Sequence, residues 1–139
     1  MKVCGIELKA SEAIIAVVEQ QGDVLVHVPM VIKKLGLEDD EDAGQVRDLY
    51  KRLQALVAEH GIQRIALKKR GKKGEFAGGP VTFKIEGLLQ LLDRCEVELL
   101  SPQTINAANR KHSFELPLGL NKYQHDAFLA ACTLLNRKA

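Results

Sequence analysis

Apolar residues follow two rhythms along this chain: short strand-like runs in the first third, then helical stripes alternating with further short runs. Val3 to Leu8 is an apolar run stopped by Lys9-Ala10-Ser11-Glu12, which predicts a strand and a turn. Ala13 to Val18 is continuously apolar and rich in Ile and Val, as a strand buried on both faces requires. Gln20-Gln21-Gly22-Asp23 then connects to a third antiparallel strand over Val24 to Ile32. Pro29 places that strand at a sheet edge, where a missing N–H is tolerated.

Helical spacing begins with Val46, Leu49, Leu53, Leu56 and Val57, behind the acidic run Glu38-Asp39-Asp40-Glu41-Asp42 and ahead of a capping Gly61. The acids read as the solvated start of that helix rather than a metal cluster, because nothing fixes them in one geometry. Arg64 to Leu67 is a fourth strand. Pro80 suits the first position of a second helix, whose Val81, Ile85, Leu88, Leu89 and Leu92 form one stripe. Val97 to Leu100 is a fifth strand, and Ser101-Pro102 starts a turn or short helix. Arg110 to Lys122 reads as a loop, and a final amphipathic helix runs from about Tyr123 to Leu135. The order β-β-β-α-β-α-β-α predicts an α/β domain over residues 1–139. Its five-stranded mixed sheet has three antiparallel strands, then βα units with helices on both faces.

Composition narrows the class. A chain of 139 residues suits one domain, and a net charge of +2 leaves the partner undecided, so the placement of charge has to decide it. The three cysteines, Cys4, Cys95 and Cys132, form no Cys-x-x-Cys pair and lie among apolar neighbours, which predicts reduced thiols and a cytoplasmic protein. Met1 to Leu8 lacks the apolar core of a signal peptide, and no segment approaches the ~20 apolar residues of a membrane helix. No membrane partner is expected.

The charge is concentrated. Lys68 to Lys73 holds five cations in six residues with no acid among them. A solvated face is one account of such a run. Here, however, it leaves a strand and leads through Phe76-Ala77-Gly78-Gly79 to a helix start, where free N–H groups and the helix dipole favour a phosphate. Lys68, Lys69, Arg70, Lys72 and Lys73 are therefore the candidate nucleic-acid contacts, and Phe76 could stack on a base. The Gly-Lys-Ser/Thr of a P-loop is absent. His27, His60 and His112 have no mutual ligand spacing.

Two segments carry a resemblance. His125-Asp126-Ala127-Phe128-Leu129-Ala130-Ala131 resembles the H-D-A-Y/L-L-x-A helix of RuvC-like resolvases and of the RuvC-like domains in RNA-guided DNA nucleases, within the RNase H-like superfamily. Cys4-Gly5-Ile6-Glu7-Leu8 resembles their first-strand motif, with Glu7 where Asp is usual. The resemblance implies that Glu7 and Asp126 are catalytic carboxylates holding Mg²⁺ or Mn²⁺. In that chemistry, hard oxygen ligands on separate elements place two ions about the scissile phosphate. It also implies that Ala127, Ala130 and Ala131 let the helix approach the sheet and bring Asp126 near Glu7.

Two positions depart from the pattern. Tyr123 stands where a His or Asp is usual, three residues before Asp126, and Lys68-Lys69 follow Leu67 where a Glu should end the fourth strand. A lysine is not a metal ligand; its charge repels a metal or takes the place of one. Glu75 and Glu86 are the remaining acids nearby, and a salt bridge to Lys68 or Lys69 is the alternative role for Glu7. The whole chain also resembles a small family of uncharacterised bacterial proteins of this length. That likeness rests on Met1-Lys2-Val3-Cys4-Gly5-Ile6-Glu7-Leu8-Lys9, Lys73-Gly74-Glu75-Phe76-Ala77-Gly78-Gly79 and Leu99-Leu100-Ser101-Pro102. Three functions stay open: a DNA- or RNA-binding domain with a reduced or absent nuclease centre, an active Mg²⁺/Mn²⁺-dependent nuclease, and a non-catalytic homodimeric interaction module. The first accounts for the most residues.

Overall fold

The computed structural model describes residues 1–74 and 78–137. Alternation along each central strand feeds two cores, one on either face of a sheet. In β1 (Lys2–Lys9), Cys4, Ile6 and Leu8 enter the first core, while Val3 enters the second. The antiparallel β2 (Glu12–Gln21) does the same with Ala13, Ile15 and Val17 against Ile14, Ala16 and Val18. Burial on both sides is why β2 is an unbroken apolar run.

The third strand is shorter than its sequence suggests. β3 (Val24–Val28) pairs with β2 and stops at Pro29, which has no N–H to continue the ladder. The chain then bends back, and β4 (Lys34–Gly36) pairs with the beginning of β2, making six strands rather than five. β5 (Arg64–Lys68) and β6 (Glu96–Leu100) add in parallel, in the order β3-β2-β1-β5-β6.

Helix α1 (Ala43–His60) starts under an Asp42 side chain that accepts the Gly44 N–H, and it ends at a left-handed Gly61. It shares the first core with α2 (Pro80–Gln90). On the other face lie α3 (Pro102–His112) and α4 (His125–Arg137). The expected turn or short helix at Ser101-Pro102 is thus an eleven-residue helix. Ile105 is its one buried residue, so apolar spacing gives no sign of it. Instead, the Ser101 hydroxyl accepts the Thr104 N–H, and Pro102 sits in the first turn.

Small residues set the approach of α4. Gly5 registers with Ala16 on one side and Ala66 on the other, forming a shallow trough across β2, β1 and β5. Ala127 and Ala131 press into it. A methyl group at Gly5 would overlap the Ala127 carbonyl and lie 3.0 Å from the Ala131 nitrogen. The start of α4 is pinned by a 3-10 turn, Lys122–Gln124. Its buried Gln124 donates to the Ile15 carbonyl at 2.8 Å and accepts the Asn121 N–H at 3.1 Å. Among the described residues, no helix is long and apolar enough to cross a membrane.

Candidate active site and basic edge

The parallel strands β1, β5 and β6 end along one edge of the sheet, where Glu7 registers with Lys68 and Lys68 with Leu100. Their side chains share the α4 face, and α4 delivers Asp126 to the same place from its first turn. Lys68 Nζ donates to Asp126 Oδ2 at 2.8 Å and lies 3.6 Å from Glu7 Oε2. The expected meeting of Glu7 and Asp126 is therefore found, and Lys68 stands between them. The Lys68 and Glu7 side chains are mostly buried, at 20% and 13% exposure, whereas Asp126 is 47% exposed.

The two carboxyls are shifted in opposite directions. Burial raises the Glu7 pKa above its ordinary value, and the neighbouring Asp126 charge raises it further, with Lys68 opposing. Burial also works to raise Asp126, but the hydrogen bond and charge of Lys68 outweigh it and hold this carboxyl below its ordinary range. The opposite shifts make Glu7 the more readily protonated of the two carboxyls.

This arrangement does not fit a resident Mg²⁺ or Mn²⁺. A hard divalent ion needs several oxygen ligands, but an ammonium group joins the two carboxylates here. No group of three His, Cys, Asp or Glu side chains gathers into a metal site among the described residues. Glu86 lies on α2 and joins no such group; Glu75 lies outside the described residues, as does Phe76.

Two cavities flank Lys68 along the edge. One, of 590 Å³, is bordered by Glu7, Lys9, Lys122, Tyr123, His125 and Asp126. The other, of 670 Å³, is walled by the basic segment Lys69–Gly74 and by Ser101, Pro102 and Gln103 at the start of α3. The Lys69 N–H extends the β5–β6 ladder by donating to the Leu100 carbonyl at 2.8 Å, and Gly78 donates to Gly71 at the base of the loop. Sequence reasoning missed Lys9, Lys122 and the α3 contribution. Alternation could have found Lys9, two residues after Glu7 and so on the same face; no local signal marks Gln103.

A family model described as "Protein of unknown function (DUF3010)" matches residues 1–134. The chain belongs to the DUF3010 family. No curated protein matches this DUF3010 chain by sequence. Solved structures do match it. Thermus thermophilus RuvC aligns at a TM-score of 0.74 and 13% identity, over 96% of this chain and 92% of that one. The same organism's RuvC in complex with Holliday junction substrate gives 0.70 and 15%, over 100% and 97%. Fowlpox virus resolvase with Holliday junction DNA gives 0.54 and 15%, over 99% and 96%. At these identities the likeness establishes the fold alone: the DUF3010 chain has an RNase H-like fold similar to that of RuvC.

Proposed function

We propose that this DUF3010 chain binds nucleic acid along the carboxyl edge of β1, β5 and β6, without a catalytic divalent-metal centre. The Lys68 bridge between Glu7 and Asp126 carries this reading, because its ammonium offsets one of the two carboxylate charges that would otherwise repel phosphate. Around them the edge is cationic: Lys9 and Lys122 border one cavity, and Lys69, Arg70, Lys72 and Lys73 border the other. Cations spaced along an edge suit a polyanion, whose binding releases condensed counterions. The RuvC-like fold adds support, since two of its structural neighbours are complexes with Holliday junction DNA. The free thiols of Cys4, Cys95 and Cys132 fit a reducing compartment such as the cytoplasm.

The test is fluorescence anisotropy with labelled duplex, single-stranded and four-way-junction DNA and matched RNA, across a range of salt. Replacing Lys69, Lys72 and Lys73 with Ala removes three phosphate contacts and leaves the Lys68 bridge in place. The slope of log affinity against log salt on duplex DNA should then fall by about 2.7. Unchanged affinity and slope in the triple variant would overturn the proposal.

A further inference from the structure

We infer that the cavity beside Glu7 and Asp126 receives one unpaired nucleotide, with its base stacked on Tyr123 and its phosphate on Lys9 and Lys122. The inference rests on the nucleic-acid reading above and deepens it, from a basic edge that holds the backbone to a pocket that senses whether a base is paired.

The cavity, at 590 Å³, lies within the range of about 300–1,000 Å³ usual for small-ligand sites. Tyr123 is one of only two tyrosines in the chain, and it borders this space with 40% of its surface exposed. The ring is held in place without a ligand. The Lys34 ammonium lies over one face of the ring, 4.3 Å from its centroid, so a base would take the other face, and the Asn121 amide donates to the Tyr123 hydroxyl at 3.3 Å. A fixed, solvent-facing aromatic ring in a cavity bordered by two lysines suits base stacking, and stacking of this kind tolerates any base.

The carboxylate pair then has a use that needs no metal. Lys68 hydrogen-bonds one Asp126 oxygen, and the side chain stays 47% exposed, so it can still accept from the N–H groups on a base edge. In a duplex, Watson–Crick pairing consumes those donors, and stacking on the next base pair covers the π-face that Tyr123 would take. Both features therefore select an unpaired base. Lys9 and Lys122, from separate elements bordering the cavity, supply the positive charge for the attached phosphate.

The experiment uses the full chain and the fluorescent base 2-aminopurine, which is quenched when it stacks. It is presented in a single strand, in the same strand annealed to its complement, and as the free 5′-monophosphate. The wild type should quench the single strand and bind it more tightly than the duplex. Tyr123→Ala should weaken single-strand binding by about 10-fold and abolish the quench, with duplex affinity and salt slope unchanged. Tyr123→Phe should keep the wild-type behaviour, and equal thermal unfolding of the three proteins checks that the fold is intact. A Tyr123→Ala variant with the wild-type quench and single-strand preference overturns the inference and leaves the basic edge standing. Quenching of the monophosphate without binding of either oligonucleotide keeps the pocket and overturns the nucleic-acid reading. Binding of no probe at all overturns both.

Discussion

Replacing Lys68 with Ala separates a charge bridge from a metal site most cleanly. The substitution leaves Glu7 and Asp126 facing each other with no cation between them. Breaking a fully buried pair by removing one partner costs about 3–5 kcal/mol, whereas an exposed pair contributes about 0–1 kcal/mol. Glu7 and Lys68 lie near the first limit, but Asp126 is 47% exposed, so solvent screens much of its share. A loss of about 2 kcal/mol is expected at neutral pH, and for 139 residues it lowers the melting temperature by about 7 °C.

The pH dependence carries a sign. Asp126 has a depressed pKa in the fold, so its pairing stabilises the protein above its ordinary value of 3.8 and is lost as pH falls through the lower folded value. Glu7 has a raised pKa and works against folding above its ordinary value of 4.5, a penalty that acidification relieves. Lys68→Ala deepens the Glu7 penalty and removes the Asp126 gain. Its deficit should be full well above the raised Glu7 value, narrow as pH falls toward 4.5, and close only below 3.8. Melting temperatures of the two proteins by circular dichroism, from pH 3 to pH 8, measure this. A Lys68→Ala variant as stable as wild type at neutral pH, or equally destabilised at every pH, would refute the bridge as described.

Other sites give independent checks. Gly5→Ala forces a methyl group into the Ala127 carbonyl and must push α4 off the sheet; we expect a loss of more than about 3 kcal/mol in urea unfolding and displacement of Asp126 from Lys68. Gln124→Ala leaves the Ile15 carbonyl without its donor and the turn before α4 without its cap, which should cost about 1–3 kcal/mol by the same assay. Burial pushes the Cys132 thiol up to about 12 and raises Cys4 further, so alkylation in native buffer at pH 8 should modify the half-buried Cys95 first. Peptide mass mapping of a short reaction reads that order.

Much of the fold was legible because burial dictates it locally. The β1–β2 pair, β5, α1 and α4 each present an apolar pattern that only one element satisfies. Three features were not legible, for separate reasons. Pro29 signalled a sheet edge but not that the strand ends there, and the apolar residues Val31 and Ile32 that suggested continuation are exposed in the bend. β4 is three residues long with a single buried side chain, Leu35, too little for a pattern. Helix α3 depends on its cap and proline rather than on an apolar stripe.

The site divides in the same way. Glu7 and Asp126 are readable from motif and spacing, and the small residues of α4 announce its close approach. The salt bridge of Glu7 to Lys68 or Lys69 was also legible as an alternative. That it is Lys68, and that the same ammonium reaches Asp126, depends on the parallel register of β1 and β5, which no local stretch of sequence encodes. Tyr123 could be seen only as a departure from a pattern. Its place beside the cavity is set by the turn that Gln124 ties to β2.

The central claim is that this edge of the sheet holds nucleic acid with Lys68, not a metal, between its carboxylates. The most direct measurement follows anisotropy of labelled four-way-junction, single-stranded and duplex DNA and matched RNA in parallel tubes containing EDTA or Mn²⁺, and then runs the same samples on a denaturing gel. Binding should weaken steeply with salt, affinities should be the same in both tubes, and the probes should stay intact. Absence of binding at low salt, or Mn²⁺-dependent cleavage that Asp126→Asn abolishes, would contradict it.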